Sequence, residues 1–126
     1  MNTAQNMADI VTYVENKVKE TIQKYELITP HDKIIVALSG GKDSTTCLHI
    51  LNKLRYNVEA VTIDVHTKCY TNKTIENIKK FCKKENIKLH FFSFEENYGK
   101  TVLAMHSQLK KQGKKFSPCT ICGVMR

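Results

Sequence analysis

The sequence lacks the features that mark membrane and secreted proteins. No apolar run approaches the roughly 18 residues of a membrane-spanning helix. Residues 1–9 are polar and do not have the basic and then apolar layout of a signal peptide. Repeats and low-complexity segments are also absent, and 126 residues suffice for one domain with one core. We therefore expect a cytoplasmic protein with no membrane partner.

The five cysteines are an odd number, and no secretion signal accompanies them. Both facts argue against a disulfide framework. Cys47 and Cys82 lie among apolar residues in helical patterns, which predicts small buried side chains. Cys69 lies in a polar stretch and its role stays open, whereas Cys119 and Cys122 form a CxxC pair near the end of the sequence.

Acidic residues are scarce in the second half of the chain. Residues 66–126 contain thirteen Lys and Arg against four Asp and Glu, whereas residues 1–65 contain seven against eight. This asymmetry indicates either a polyanionic partner, with nucleic acid the most plausible, or a solvated lysine-rich surface. The absence of tryptophan and the small number of arginines weaken any case for direct base readout.

The segment that organises the chain is SGGKDS, at residues 39–44. It follows an apolar run at residues 34–38 and precedes a pattern of apolar residues spaced by three and four. Strand, glycine turn and helix form a phosphate-binding arrangement, because glycines admit an anion close to the backbone and the helix start offers N–H groups. The segment fits neither the Walker pattern nor G-x-G-x-x-G. The alternative is an ordinary strand-to-helix turn with Ser44 or Asp43 as the N-cap.

Apolar periodicity predicts strands that alternate with helices. Strands are expected at residues 33–38, 58–63 and 87–94, and helices at residues 7–25, up to 54, 71–86 and 98–112. Such alternation implies right-handed βαβ units and an α/β fold with a parallel sheet covered on both faces. Ligands bind beyond the carboxyl ends of strands in such sheets. The SGGKDS segment and the Ile63-Asp64 end of the second strand should therefore lie at one edge.

A second motif, Pro118-Cys119-x-x-Cys122-Gly123, lies near the end of the sequence. By itself the CxxC pair is compatible with a redox pair, half of a zinc site, part of an iron–sulfur site or buried thiols. Pro118 and Gly123 predict a turn that would expose both sulfur atoms. A four-coordinate metal would need ligands beyond these two cysteines.

The two motifs together carry a resemblance to a known family. SGGKDS resembles the pyrophosphate loop (PP-loop) of ATP pyrophosphatases, which split ATP between the α- and β-phosphates. A PP-loop followed by PCxxCGxxR resembles the tRNA 2-thiolation enzymes, of the archaeal and eukaryotic-cytosolic uridine type or of the bacterial cytidine type. The resemblance implies a Rossmann-like parallel sheet of the adenine nucleotide α-hydrolase-like type. An N-terminal amphipathic helix would occupy residues 1–28 and the PP-loop ATP-binding domain residues 29–126.

The resemblance also implies a set of site residues. The catalytic residues would be Lys42, Asp43, Cys119 and Cys122. The ATP-binding residues would be Ala37, Leu38, Ser39, Gly40, Gly41, Lys42, Asp43, Ser44, Ile63 and Arg126. The two cysteines of the CxxC pair would bind a [4Fe-4S] cluster in preference to zinc. The family's third cluster cysteine lies further downstream, so we expect this chain to be the N-terminal portion of a longer protein, unless Cys69, another subunit or an exogenous ligand completes the site.

The activity that the resemblance implies is ATP-dependent tRNA 2-thiolation, with AMP and pyrophosphate as products. ATP with Mg²⁺ would adenylate a carbonyl of a tRNA base, and sulfur would arrive through the CxxC cysteines or an iron–sulfur cluster. The partners would be tRNA, a sulfur donor or ubiquitin-like sulfur carrier protein, and a second copy in a homodimer. Two alternatives stay open: another PP-loop ligase or amidotransferase, and a truncated non-catalytic module that binds ATP or metal.

Overall fold

The computed structural model describes residues 3–65 and 72–125, and the side chains of residues 6–65 and 72–124. The strands are β1 (Lys33–Ala37), β2 (Asn57–Asp64) and β3 (Leu89–Ser93). The helices are α1 (Thr3–Tyr25), α2 (Lys42–Lys53), α3 (Asn72–Lys84), α4 (Phe94–Tyr98), α5 (Val102–Lys111) and α6 (Pro118–Met125). The strands pair in parallel in the order β1-β2-β3. The predicted α/β fold with a parallel sheet and a leading helix is thus confirmed.

The central strand β2 shows why one face of the sheet is packed. Its side chains alternate between the two faces, as in any strand. Val58, Ala60, Thr62 and Asp64 are buried, and the residues between them are partly buried. The buried set points toward the main core.

The main core lies between this face of the sheet and helices α1, α2 and α3. Its buried members are Ile22, Leu38, Leu48, Leu51, Val58, Ala60, Ile78, Cys82 and Ile87. Burial raises the pKa of the Cys82 thiol, which keeps it protonated and unreactive. The prediction of a small buried side chain at Cys82 is confirmed.

The opposite face of the sheet is largely open, and the prediction of cover on both faces is wrong. Ile35 of β1 is 59% exposed and Phe92 of β3 is 49% exposed. The reason is topological: the strand order advances in one direction, so right-handed crossovers place α2 and α3 on the same face. On the open face, Ile63 packs against a smaller cluster formed by the C-terminal helices.

Two helix predictions also need correction. Residues 98–112 were predicted as one helix, but Gly99 adopts φ 68° and ends α4 with an N–H bond of 2.9 Å to Glu95 O. Thr101 then starts α5, because its Oγ accepts a hydrogen bond of 3.2 Å from Ala104 N–H. Cys47 is exposed, whereas it was predicted to be buried, because the buried face of α2 is formed by Leu48, Ile50 and Leu51.

Only the second half of α1 packs on the core. Ile22 is buried there and Val18 packs against it, whereas Met7, Ile10 and Val11 are exposed. Apolar spacing along α1 therefore predicts the helix, but it does not predict how much of the helix packs on the main core. Among the described residues, no helix is long and apolar enough to cross a membrane.

Candidate functional site

The start of the SGGKDS loop is held by the neighbouring strand. Leu38 follows β1 and is 3% exposed. Its N–H donates a hydrogen bond of 2.8 Å to Val61 O, and its carbonyl accepts one of 2.8 Å from Thr62 Oγ. Residues of β2 therefore bind both the N–H and the carbonyl of Leu38, and these two bonds fix the position at which the chain leaves the sheet.

Gly40 has a conformation and a neighbour that only glycine accepts. Its φ of 79° lies in the left-handed region, which disfavours residues with a Cβ. A Cβ at this position would lie 2.4 Å from Thr74 Cγ2 of α3. The loop is thus pressed against α3 at Gly40.

The hydroxyl groups of Ser39 and Ser44 form hydrogen bonds within the loop. Ser39 Oγ and Ser44 Oγ lie 3.3 Å apart, and Ser39 Oγ also accepts a bond of 3.3 Å from Gly41 N–H. Ser39 N–H in turn donates to Ser44 Oγ at 3.4 Å. These bonds are long and weak, so an anion that offers better acceptors could replace them.

Helix α2 begins with its N–H groups turned toward this loop. Gly41 is the N-cap and makes no side-chain cap bond, so the predicted alternative with Ser44 or Asp43 as the N-cap is wrong. Thr45 N–H donates to Gly41 O at 3.3 Å, while Lys42 and Asp43 are exposed in the first turn. The N–H groups at a helix start lack intrahelical partners and attract anions.

The CxxC pair lies on a helix and not in a turn, which corrects that prediction. Ser117 caps α6, because its Oγ accepts a hydrogen bond of 3.1 Å from Thr120 N–H. Pro118 occupies the first helical position, where its missing N–H costs nothing. Cys119 is exposed and Cys122 is partly buried. With a spacing of three they share one face of α6.

A second apolar cluster joins this helix to the sheet. Val65, Phe94, Val102 and Ile121 are buried together, and Ile63 and Cys122 pack around them. Ile63 is near the carboxyl end of β2, the strand that anchors Leu38. The cluster therefore brings the CxxC helix to the edge of the sheet at which the SGGKDS loop leaves β1.

The CxxC pair fits part of a cluster site. Iron–sulfur clusters are held by cysteine thiolates, and α6 offers two thiols one turn apart. Within the described residues, no three His, Cys, Asp or Glu side chains are grouped closely enough to hold a metal ion. Two predicted residues, Cys69 and Arg126, lie outside the described residues.

Two residues that shape the loop were not predicted. Thr62 is 1% exposed and bonds to Leu38, and Thr74 packs on Gly40. Thr62 lies on the same face of β2 as the buried apolar residues. This alternation could have indicated that its hydroxyl faces the core. No local pattern distinguishes Thr74 from other polar residues of α3, because its contact depends on how α3 packs.

Comparison with known proteins identifies relatives over most of the chain. The family described as "tRNA methyl transferase HUP domain" matches residues 32–125. The tRNA-5-methyluridine(54) 2-sulfurtransferase of Pyrococcus horikoshii is 36% identical over 114 residues, 90% of this chain and 34% of the relative. The cytoplasmic tRNA 2-thiolation protein 1 of Aspergillus niger is 34% identical over 118 residues, 89% of this chain and 33% of the relative. The chain thus spans about a third of the length of these relatives.

A solved structure has the same fold. The U34-tRNA thiolase NcsA from Methanococcus maripaludis, determined with its [4Fe-4S] cluster, matches with a TM-score of 0.66 and 24% sequence identity. The match covers 92% of this chain and 38% of that chain. At this identity the likeness carries the fold alone.

Proposed function

Because this chain belongs to the tRNA methyl transferase HUP domain family, we propose that it is the ATP-binding portion of an enzyme that 2-thiolates a tRNA base. The observation that carries the proposal is the shared edge of the SGGKDS loop and the CxxC helix. The cluster that contains Ile63 and Cys122 supports this arrangement. Relatives named for tRNA sulfur transfer support the choice of substrate.

ATP would bind with its phosphates on the SGGKDS loop. The glycine backbone of the loop and the N–H groups at the start of α2 suit a phosphate anion. Lys42 is exposed beside them and would neutralise the charge that develops toward pyrophosphate. Asp43, in the same turn, would hold Mg²⁺ through its carboxylate. Ala37 ends β1 and Ile63 lies near the end of the neighbouring strand β2, and both would contact the nucleoside.

The reaction would proceed in two displacements. The carbonyl oxygen of the tRNA base attacks the α-phosphate, which forms an O–P bond and releases pyrophosphate. Incoming hydrosulfide then forms the C–S bond and gives up its proton, and AMP departs with the former carbonyl oxygen. The first step is required because an amide-like carbonyl oxygen is a poor leaving group until it is adenylated.

The CxxC cysteines would serve the second displacement. The exposed Cys119 thiol can meet an incoming sulfur carrier, and the partly buried Cys122 fixes the helix to the sheet. A [4Fe-4S] cluster, when bound, would supply a site for sulfide, and Cys119 and Cys122 would provide two of its ligands. The remaining ligands would come from outside the described residues. A sulfur donor or carrier protein completes the reaction, which would take place in the cytoplasm as the name of the Aspergillus niger relative suggests.

The proposal is tested by pyrophosphate release from the full-length protein with and without unmodified tRNA, followed by mass spectrometry of the tRNA for sulfur. We expect tRNA-dependent pyrophosphate, and a loss of about 10²–10³-fold in rate for Lys42→Ala. Lys80→Ala on α3 is the matched control, because it removes an equally exposed lysine outside the loop. Pyrophosphate release that ignores tRNA would favour another PP-loop ligase, and no release would favour a non-catalytic module.

A further inference from the structure

Four lysines surround the end of α5. Lys110 and Lys111 form its last turn, and Lys114 and Lys115 follow directly. Gly113 ends the helix with φ 76°. Its N–H donates to Lys110 O at 3.1 Å, and Lys114 N–H donates to Leu109 O at 3.0 Å. This paired closure is a Schellman motif, so the backbone that carries the lysines has a defined geometry.

Three of these lysines, Lys110, Lys114 and Lys115, line a pocket together with an aromatic ring. A surface pocket of about 540 Å³ is formed by His106, Lys110, Gly113, Lys114, Lys115 and Phe116. The Phe116 side chain is 47% exposed although it is large and apolar. Among the residues that the structure describes, no carboxylate lies within 4.0 Å of these lysines. The pocket therefore combines uncompensated positive charge with an accessible aromatic face.

Stabilisation of α5 alone does not account for this arrangement. Cations in the last turn of a helix interact favourably with its dipole, which explains Lys110 and Lys111. The interaction falls off beyond that turn, so Lys114 and Lys115 gain little from it. Neither does the dipole explain an exposed phenyl ring between the lysines and α6.

The pocket borders the CxxC helix. Phe116 also lines an adjacent apolar groove of about 410 Å³, which Thr120, Ile121 and Val124 of α6 complete. A ligand in contact with Phe116 would thus border α6 on the face that Thr120 and Val124 occupy.

We propose that this pocket is an RNA-docking subsite, in which Lys110, Lys114 and Lys115 bind phosphates and Phe116 stacks on a base of the tRNA. Positive side chains that follow a backbone and an aromatic ring that stacks on a base are the common features of sites for single-stranded nucleic acid. The inference rests on the proposed function, since it specifies how the tRNA is held at the same site.

The experiment measures the affinity of the full-length protein for an unmodified tRNA transcript by fluorescence anisotropy at several salt concentrations. The test variants are Lys114→Glu/Lys115→Glu and Phe116→Ala. Lys83→Glu/Lys84→Glu, in the last turn of α3, is the charge-matched control, and Phe116→Tyr preserves a stacking ring. Binding of ATP and the thermal unfolding midpoint verify that each variant is folded.

We expect Lys114→Glu/Lys115→Glu to weaken tRNA binding at least tenfold. The slope of log affinity against log salt should fall by about 0.7 for each phosphate that the variant no longer neutralises. Phe116→Ala should weaken binding by about 5- to 100-fold, with Phe116→Tyr close to wild type. Unchanged affinity in the test variants would overturn the subsite while the proposed function stands. An equal decrease in the α3 control would overturn it as well, and a wild-type protein that does not bind tRNA would overturn both proposals.

Discussion

Thr62 and Leu38 are joined by a hydrogen bond of 2.8 Å from the Thr62 hydroxyl to the Leu38 carbonyl. Thr62 is buried within β2, and Leu38 is the last residue before the SGGKDS loop. The Thr62 side chain therefore connects the central strand to the point where the chain turns toward α2. The position of the loop depends on this contact as well as on the sheet.

Replacing Thr62 tests this connection. Thr62→Val keeps the shape of the side chain but removes the donor, which should lower the free energy of unfolding by about 1–3 kcal/mol. It should also weaken ATP binding severalfold, because the start of the loop loses an anchor. Thr62→Ser keeps the hydroxyl and should bind ATP like the wild type. Calorimetric titration with ATP decides, and equal affinity in the valine variant would contradict the role given to the hydroxyl.

A substitution at Gly40 should be more damaging than one at another left-handed glycine. Gly40→Ala combines an unfavourable φ with the approach to Thr74 Cγ2, whereas a Cβ at Gly99 would meet nothing within 4 Å. Gly99→Ala should therefore cost about 1–2 kcal/mol in stability from its backbone alone. Gly40→Ala should cost a further 1–3 kcal/mol or so from overpacking and should abolish pyrophosphate release. Urea unfolding compares the two, and equal destabilisation would show that α3 yields without cost.

The three strands and helices α1, α2, α3 and α5 could be predicted because each is encoded locally, whereas α4 and α6 were not predicted. The apolar run of β2 and the apolar spacing in α1 and α3 identify a strand and two helices within a few residues of their observed bounds. The SGGKDS loop could be found in the same way, since its glycines and its flanking elements are contiguous in sequence.

Packing between distant elements could not be read from local patterns. The exposure of Cys47 depends on the rotation of α2 against the sheet. The contact of Thr74 with Gly40 depends on the position of α3. The contact of Cys122 with the cluster around Ile63 depends on the positions of α5 and α6. Apolar residues spaced by three or four locate the buried face of a helix only to within about one residue. An error of that size is enough to predict a cysteine on the wrong face.

Stability at acidic pH should depend on Glu59. Hydrogen bonds from His90 and Lys33 lower the pKa of this carboxyl from its ordinary value of 4.5 to about 2. A depressed pKa stabilises the folded state fully above pH 4.5, and this contribution is lost as the pH falls toward 2.

Glu59→Gln should therefore be less stable than the wild type at pH 7, and the two proteins should converge as the pH falls through this range. Urea unfolding at a series of pH values measures the difference. Lys33→Gln should have a smaller effect than His90→Gln, because the bond from His90 makes the larger contribution to the pKa. A difference between wild type and Glu59→Gln that stays constant with pH would rule out the linkage.

The two motif cysteines should be separable by stability but not by sulfur transfer. Cys119→Ser and Cys122→Ser should each abolish thiolation and leave tRNA-dependent pyrophosphate release intact, because the SGGKDS loop is unchanged. Cys119 is exposed, so its replacement should change the free energy of unfolding by less than about 0.5 kcal/mol. Cys122 packs against the buried cluster around Ile121, and a serine there should cost about 1 kcal/mol or more.

Cys47→Ser is the matched control, since Cys47 is also exposed but lies on α2 outside the motif. It should change neither thiolation nor stability. Mass spectrometry of the tRNA and urea unfolding supply the two measurements. If the Cys119→Ser/Cys122→Ser double variant thiolates tRNA like the wild type, these thiols take no part in the mechanism. Helix α6 would then have a structural role, because the contact of α6 with the cluster around Ile63 does not depend on sulfur chemistry.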